Sequence, residues 1–161
     1  MKINPRARRQ ARRALVQALY QWQMTGGDTV VLLAQFQEDD TLKSADTEFF
    51  REILLGVIRV LEAATPPAED AAGTGIDTLF SSYLDRKVAE LDKVELAVLR
   101  LGAYELKERP EIPYRVVIDE YVELTKVFGA EASHKYINGV LDAIANDLRP
   151  IETAHHRAPG A

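Results

Sequence analysis

Between Lys2 and Trp22 the apolar residues Ala11, Leu15, Ala18, Leu19 and Trp22 recur at intervals of three and four, the spacing of one face of an α-helix. The same stretch holds Lys2, Arg6, Arg8, Arg9, Arg12 and Arg13, and no acid occurs before Asp28. One segment is therefore predicted to be a core helix and a basic arm together. Asn4 suits the N-cap, Pro5 suits the first helical position, and Gly26-Gly27 ends the run. Arginines crowded at a helix N-terminus oppose the helix dipole, which favours anions there. A phosphate backbone would relieve that conflict, while a solvated basic end is the ordinary alternative.

Helical spacing continues through the chain. Asp28 can cap a short helix containing Val31, Leu32 and Phe36, and Ser44 or Asp46 opens a stronger one with Phe49, Phe50, Ile53, Leu54, Val57, Ile58 and Leu61 on one face. Pro66-Pro67 stops it, and the Ala-, Pro- and Gly-rich run 63–75 reads as a flexible link. Ile76, Leu79, Phe80, Tyr83 and Leu84 mark a further helix. Asp92 with Glu95 forms a capping box ahead of Val94, Val98, Leu101 and Leu106, and Arg109-Pro110 closes that helix. Pro113 opens the next, burying Val117, Ile118, Tyr121, Val122, Leu124 and Phe128 before Gly129. A last helix, from about Ala132 to Leu148, buries Ile137, Val140, Leu141 and Ile144, and Pro150 ends it. No segment alternates with period two. The expected fold is all-α, about seven helices in two sub-bundles sharing a core. Residues 1–150 are predicted to form one domain, with 151–161 a disordered tail.

Six of the twenty cations and none of the twenty-five acids precede Asp28, so a net charge of −5 hides a basic start and an acidic remainder. A polyanion could approach only the first, whereas a basic protein could be drawn to the second. The absence of cysteine removes thiolate metal sites and Cys nucleophiles, and no run nears the roughly 18 to 20 apolar residues of a membrane span. A soluble cytoplasmic protein with no membrane partner is expected.

Enzyme motifs are missing: there is no phosphate-binding loop, no zinc-protease pair and no nucleophile elbow, and Gly73-Thr74-Gly75 is too short to cradle a phosphate. Glu131-x-x-His134 puts a carboxylate and an imidazole one turn apart, with Glu120 and Glu123 on the preceding helix, but a bridged di-metal site needs two such pairs. Asp119-Glu120 and Glu38-Asp39-Asp40 read as solvated acidic faces. No catalytic residue, metal or cofactor is expected. Tyr83 and Phe128 are candidate platforms for unpaired bases, with burial in the core as the competing reading. Gly129 would free backbone N–H groups of residues 130–133 at a helix start, where a phosphate or base edge could be received.

Three groups of residues together resemble the NusB family of bacterial transcription antitermination factors, over about Arg6 to Pro150. They are Arg8-Arg9-Gln10-Ala11-Arg12 with Val16-Gln17-Ala18-Leu19-Tyr20-Gln21-Trp22; Val94-Glu95-x-Ala97-Val98-Leu99-Arg100 with Tyr104-Glu105-Leu106 and Ile112-Pro113-Tyr114; and Lys126-x-Phe128-Gly129-Ala130-Glu131-x-Ser133-His134-Lys135-x-x-Asn138-Gly139-Val140-Leu141. The last block is the most specific of the three. The resemblance implies a non-catalytic all-α RNA-binding protein. It would pair with NusE, a small-subunit ribosomal protein, recognise single-stranded boxA RNA in ribosomal RNA leaders, and act indirectly on elongating RNA polymerase. By motif match, Lys2, Arg6, Arg8, Arg9, Arg12, Tyr83, Phe128, Glu131 and Ala132 fall where the family meets RNA, and Glu95 falls where it meets NusE. The resemblance leaves self-association into a homodimer open. Gln10 interrupts an arginine run, Ala132 stands where an acid is common, and the 63–75 link is longer than usual. A similar helical domain occurs fused to ribosomal RNA cytosine methyltransferases, but this chain has neither the glycine-rich cofactor loop nor a catalytic Cys. A helical protein-interaction module without RNA binding is the other reading the residues allow.

Overall fold

The computed structural model describes residues 3–63, 75–128 and 131–157. Seven α-helices occupy them: α1 Pro5–Thr25, α2 Thr29–Glu38, α3 Thr47–Ala63, α4 Lys93–Glu108, α5 Tyr114–Val127, α6 His134–Leu148 and α7 Pro150–Arg157. Most of the link predicted at 63–75 lies outside the described residues.

Four helices start on caps that the sequence offers, although at α4 the bond made is that of Asp92 and not the reciprocal one of Glu95. Asn4 Oδ1 accepts from the Ala7 amide at 3.1 Å, Asp28 Oδ1 from Val30 at 2.8 Å, Asp46 Oδ1 from Phe49 at 3.0 Å and Asp92 Oδ1 from Val94 at 2.8 Å. At the other end of α1, Gly26 and Gly27 adopt φ values of 68° and 100°, a backbone region that L side chains seldom enter.

α1 is the shared element. It packs on α2 and α3 of the first sub-bundle and on α4 and α5 of the second, and α4 in turn contacts α1, α3, α5 and α6. One continuous core results, running from Leu15, Leu19 and Phe50 through Leu99 and Leu101 to Ile137 and Leu141. The approach of α3 to α4 depends on Gly56, where a Cβ would collide with the Tyr104 ring.

Two expectations fail. The helix predicted over Ile76–Leu84 is instead a set of 3₁₀ turns, Gly75–Leu79, Ser81–Tyr83 and Val88–Glu90. Local polar groups win there. Thr78 Oγ1 donates to the Gly75 carbonyl at 2.7 Å, and the buried Asp77 turns to take both Nε and Nη2 of Arg100 at 2.9 Å. The second failure is the tail, because Pro150 opens α7 rather than ending order. Thr153 is buried, and Glu152 Oε1 accepts from the Tyr114 amide at 3.1 Å at the start of α5. Residues 158–161 lie outside the described residues.

Arg149, between α6 and α7, explains why this end is ordered. Its guanidinium donates to the carbonyls of Glu105, Leu106, Arg109 and Ile112, in and just beyond the last turn of α4, where helix carbonyls run short of helical partners. Arg149→Ala should therefore lower unfolding free energy by about 3 kcal/mol, the scale of losing several bonds to a charged donor. Arg149→Lys should recover little, because an ammonium cannot reproduce the planar fork. Urea unfolding of the three proteins measures both effects.

Candidate nucleic-acid interface

Helical geometry sorts the arginines of α1 into two sets. Arg8 and Arg12, four apart, share the inward side with Leu15 and Leu19, while Arg6, Arg9 and Arg13 form an exposed stripe at intervals of three and four. The stripe runs on into the exposed Gln17, Tyr20 and Met24.

Arg12 is 2% exposed. Its Nε and Nη2 donate to the two oxygens of the fully buried Glu105 at 3.0 and 2.9 Å, and the Tyr121 hydroxyl donates to the same carboxylate. Burial opposes charge on this guanidinium, but the facing Glu105 overcomes it and raises the Arg12 pKa above that of a free arginine. Burial, followed by the Glu105 charge, pushes the Tyr121 phenol well above its ordinary range. Arg12, predicted from the motif to meet RNA, is thus a core residue. Turning it toward a phosphate would leave Glu105 buried and unpaired, at a cost of about 3–5 kcal/mol.

Arg8 is also largely withdrawn. Its side chain is 14% exposed, Nε lies 3.5 Å from Asp46 Oδ2, and the guanidinium sits 4.5 Å from the centre of the Phe49 ring. The cations left facing outward on α1 are Arg6, Arg9 and Arg13, and Lys2 lies outside the described residues. Arg13 was absent from the residues carried over by motif, although its spacing from Arg6 and Arg9 signalled the shared face.

Arg9 has a neighbour across a shallow groove of about 520 Å³ between α1 and α5, which Arg13, Asp119, Glu120 and Glu123 also line. Arg9 Nε donates to Glu120 Oε2 and Nη2 to Oε1, each at 3.1 Å, while its side chain stays 61% exposed. The hydrogen bond from Arg9 to Glu120, with Glu120's charge, raises the Arg9 pKa.

Phe128 caps α5 and is half-buried against the core. It lines a second groove of about 660 Å³ with Val16, Gln17, Tyr20 and Val94, so the ring stands beside the lower half of the α1 stripe. Tyr83 is half-exposed on its 3₁₀ turn, and its hydroxyl donates to Asp147 of α6, a bond that raises the phenol's pKa. Ala132 is exposed in the turn Glu131–Ser133. The Glu131 side chain, Gly129 and Ala130 lie outside the described residues, and α6 itself begins only at His134. Among the described residues no cluster of three or more His, Cys, Asp or Glu could hold a metal ion.

Glu95 departs from expectation in its setting. It is 6% exposed near the start of α4, and its charge acts on Arg86. Of the acids that precede it closely in the chain, Asp85, Glu90 and Asp92 are exposed.

These features define an all-helical binding scaffold, with a cationic helix face continued by aromatic and amide side chains. A model of the NusB family matches residues 9–146. The chain is 48% identical to the transcription antitermination protein NusB of Alcanivorax borkumensis, over 95% of this chain and 94% of that one. It is also 48% identical to the protein of that name from Hydrogenovibrio crunogenus, over 90% and 83%. Among solved structures it is similar to antitermination factors NusB and NusE in complex with dsRNA, with TM-score 0.73, 27% identity and coverage of 88% and 98%. T. maritima NusB gives TM-score 0.71 and 32% identity over 95% and 99%. The chain belongs to the NusB family.

The buried phenol gives this region a pH signature. Tyr121 keeps its proton in the fold, whereas in the unfolded chain it loses it near pH 10. Unfolding then releases a proton, so stability falls as pH rises above about 10. Tyr121→Phe should flatten that fall, measured by urea unfolding at a series of pH values. A slope equal to that of wild type would place the Tyr121 hydroxyl in contact with water.

Proposed function

We propose that the chain is a non-catalytic RNA-binding antitermination factor. It pairs with a NusE-type ribosomal protein to take up single-stranded boxA RNA from ribosomal RNA leader transcripts, and it acts through that complex on elongating RNA polymerase. Family membership supports this reading, and the observation that carries it is the exposed stripe of Arg6, Arg9 and Arg13 running into Tyr20 beside the Phe128 ring. Cations spaced along a helix follow a phosphate backbone, and an adjoining aromatic ring receives a base. Lys2, Tyr83, Glu131 and Ala132 complete the RNA surface on the motif match, while Arg8 and Arg12 support it from beneath. Among the described residues no helix is long and apolar enough to cross a membrane. The cytoplasm, where nascent transcripts are made, is the compartment this role requires.

RNA titrations at several salt concentrations test the surface. Three or four neutralised phosphates on a single strand give a log–log slope of about −2 to −3. The Arg9→Ala/Arg13→Ala pair should flatten the slope by about 1.4, while Arg8→Ala leaves it near wild type. An unaltered slope in the double variant would move the RNA site elsewhere.

Partner coupling tests the adaptor role. Phosphate contacts position RNA without reading its sequence, so the chain alone should bind weakly and discriminate little. Whatever factor NusE adds to RNA affinity, RNA must add to NusE affinity, typically about 5- to 150-fold. We place the NusE contact around Glu95 and its acidic neighbours Asp85 and Asp92. Glu95→Gln, which keeps the buried shape and removes the charge, should reduce the enhancement and spare RNA binding by the chain alone. Calorimetry with each ligand singly and both together, on proteins of matched melting temperature, reads this directly. Equal RNA affinity with and without NusE would reject the adaptor role.

A further inference from the structure

Arg9 is the most exposed of the ion-paired α1 arginines, and like the buried Arg12 it is gripped in fork-to-fork geometry by an acid outside α1. Both oxygens of Glu120 take N–H groups of the Arg9 guanidinium, presenting a planar anion where a phosphate would bind. Asp119 and Glu123 line the same groove. Glu120 itself is anchored, with its side chain 18% exposed on α5, whereas Arg9 is a long chain reaching over from α1. Arg12 differs in kind: its carboxylate is fully buried and beyond the reach of a competing anion.

We propose that Glu120 is an internal competitor for the RNA backbone. It occupies Arg9 in the free protein and is displaced when RNA binds. This rests on the RNA-binding reading above and adds to it a residue that sets how strong an anion must be to engage the surface. A single phosphate meets a guanidinium already paired at short range. A strand held at the same time by Arg6 and Arg13 presents its next phosphate at high effective concentration and exchanges with the carboxylate. The contact therefore selects for a polyanion over isolated anions. Exposed ion pairs are weak, so the exchange stays reversible at cellular salt.

The test is fluorescence anisotropy of labelled single-stranded RNA, a boxA-type 12-mer and a 12-mer of uridines, with wild type, Glu120→Gln, Arg9→Gln and the double variant. Glu120→Gln should bind both RNAs about two- to fivefold tighter, the range of an exposed ion pair, and the gain should vanish in the Arg9→Gln background. Unchanged or weaker binding by Glu120→Gln overturns the proposal, and so does an equal gain in the two backgrounds, which would reflect bulk charge alone. Wild type supplies a second measurement that needs no substitution. The Arg9 Nε–Hε resonance should shift when RNA is added, and one that stays in place means the pair persists and the proposal fails. If wild type binds neither RNA, the RNA-binding reading falls first and this inference with it. Binding by wild type without the Glu120 effect overturns only the inference.

Discussion

The crossing of α1 and α4 turns on one ion pair. Arg12 and Glu105 meet side by side where two central helices touch, with no water-facing edge on the carboxylate. Taking two charges out of water is expensive, and their mutual attraction repays the cost only with good geometry and further hydrogen bonds. Both conditions hold. The guanidinium is bidentate, and the Tyr121 hydroxyl brings α5 onto the same carboxylate. Three helices are thereby fixed in rotation about their axes, since turning any one would strand a buried polar group. The outward direction of Arg6, Arg9 and Arg13 follows from this, because the direction of Arg12 fixes that of every other α1 side chain.

Around that pair the arginines are organised by an aromatic ring. The guanidinium groups of Arg8, Arg12 and Arg109 lie 4.5, 5.0 and 5.3 Å from the centre of Phe49. Three cations about one ring would repel one another without counterions. Asp46 serves Arg8, Glu105 serves Arg12, and Glu52 and Glu111 serve Arg109. Much of what looks in the sequence like a basic arm is therefore spent internally, with Asp46 before α3, Glu105 of α4 and Glu120 of α5 as the neutralising acids. The net charge contrast between the start of the chain and the remainder is partly cancelled in three dimensions.

Periodicity and capping residues made most of the fold legible: Asn4, Asp28 and Asp92 cap the helices expected of them, and of Ser44 and Asp46 it is Asp46 that caps α3. The 3₁₀ turns after Gly75 were not legible because their apolar spacing is helical, and the deciding contact, Asp77 with Arg100, joins positions far apart in the chain. The order of α7 was hidden likewise, since Pro150 reads as a stop unless Arg149 is known to be tied to the end of α4. For the candidate site, residue types were readable and their availability was not. Arg9 and Arg12 differ little in a motif and stand only about 60° apart around the helix, yet Arg12 falls against α4 and Arg9 on the solvent edge. One reaches solvent and the other is buried. Glu95 belongs to the same case, an acid whose charge is visible in sequence and whose cover comes from the fold.

The Arg12–Glu105 bond also carries a consequence for synthesis. Its partners stand 93 residues apart, so during translation α1 emerges long before the carboxylate that neutralises it. Closing so long a loop is entropically slow, and the contact order of this pairing is high for a helical protein. Until α4 has left the ribosome, Arg8 can find Asp46, but Arg12 lacks the carboxylate that it pairs with in the finished fold. The nascent chain thus shows more positive charge than the finished one, and it emerges beside the phosphates of ribosomal RNA. Completion of α4 and α5 withdraws that charge into the core, so the finished helix presents to a polyanion only the cations that stay outside.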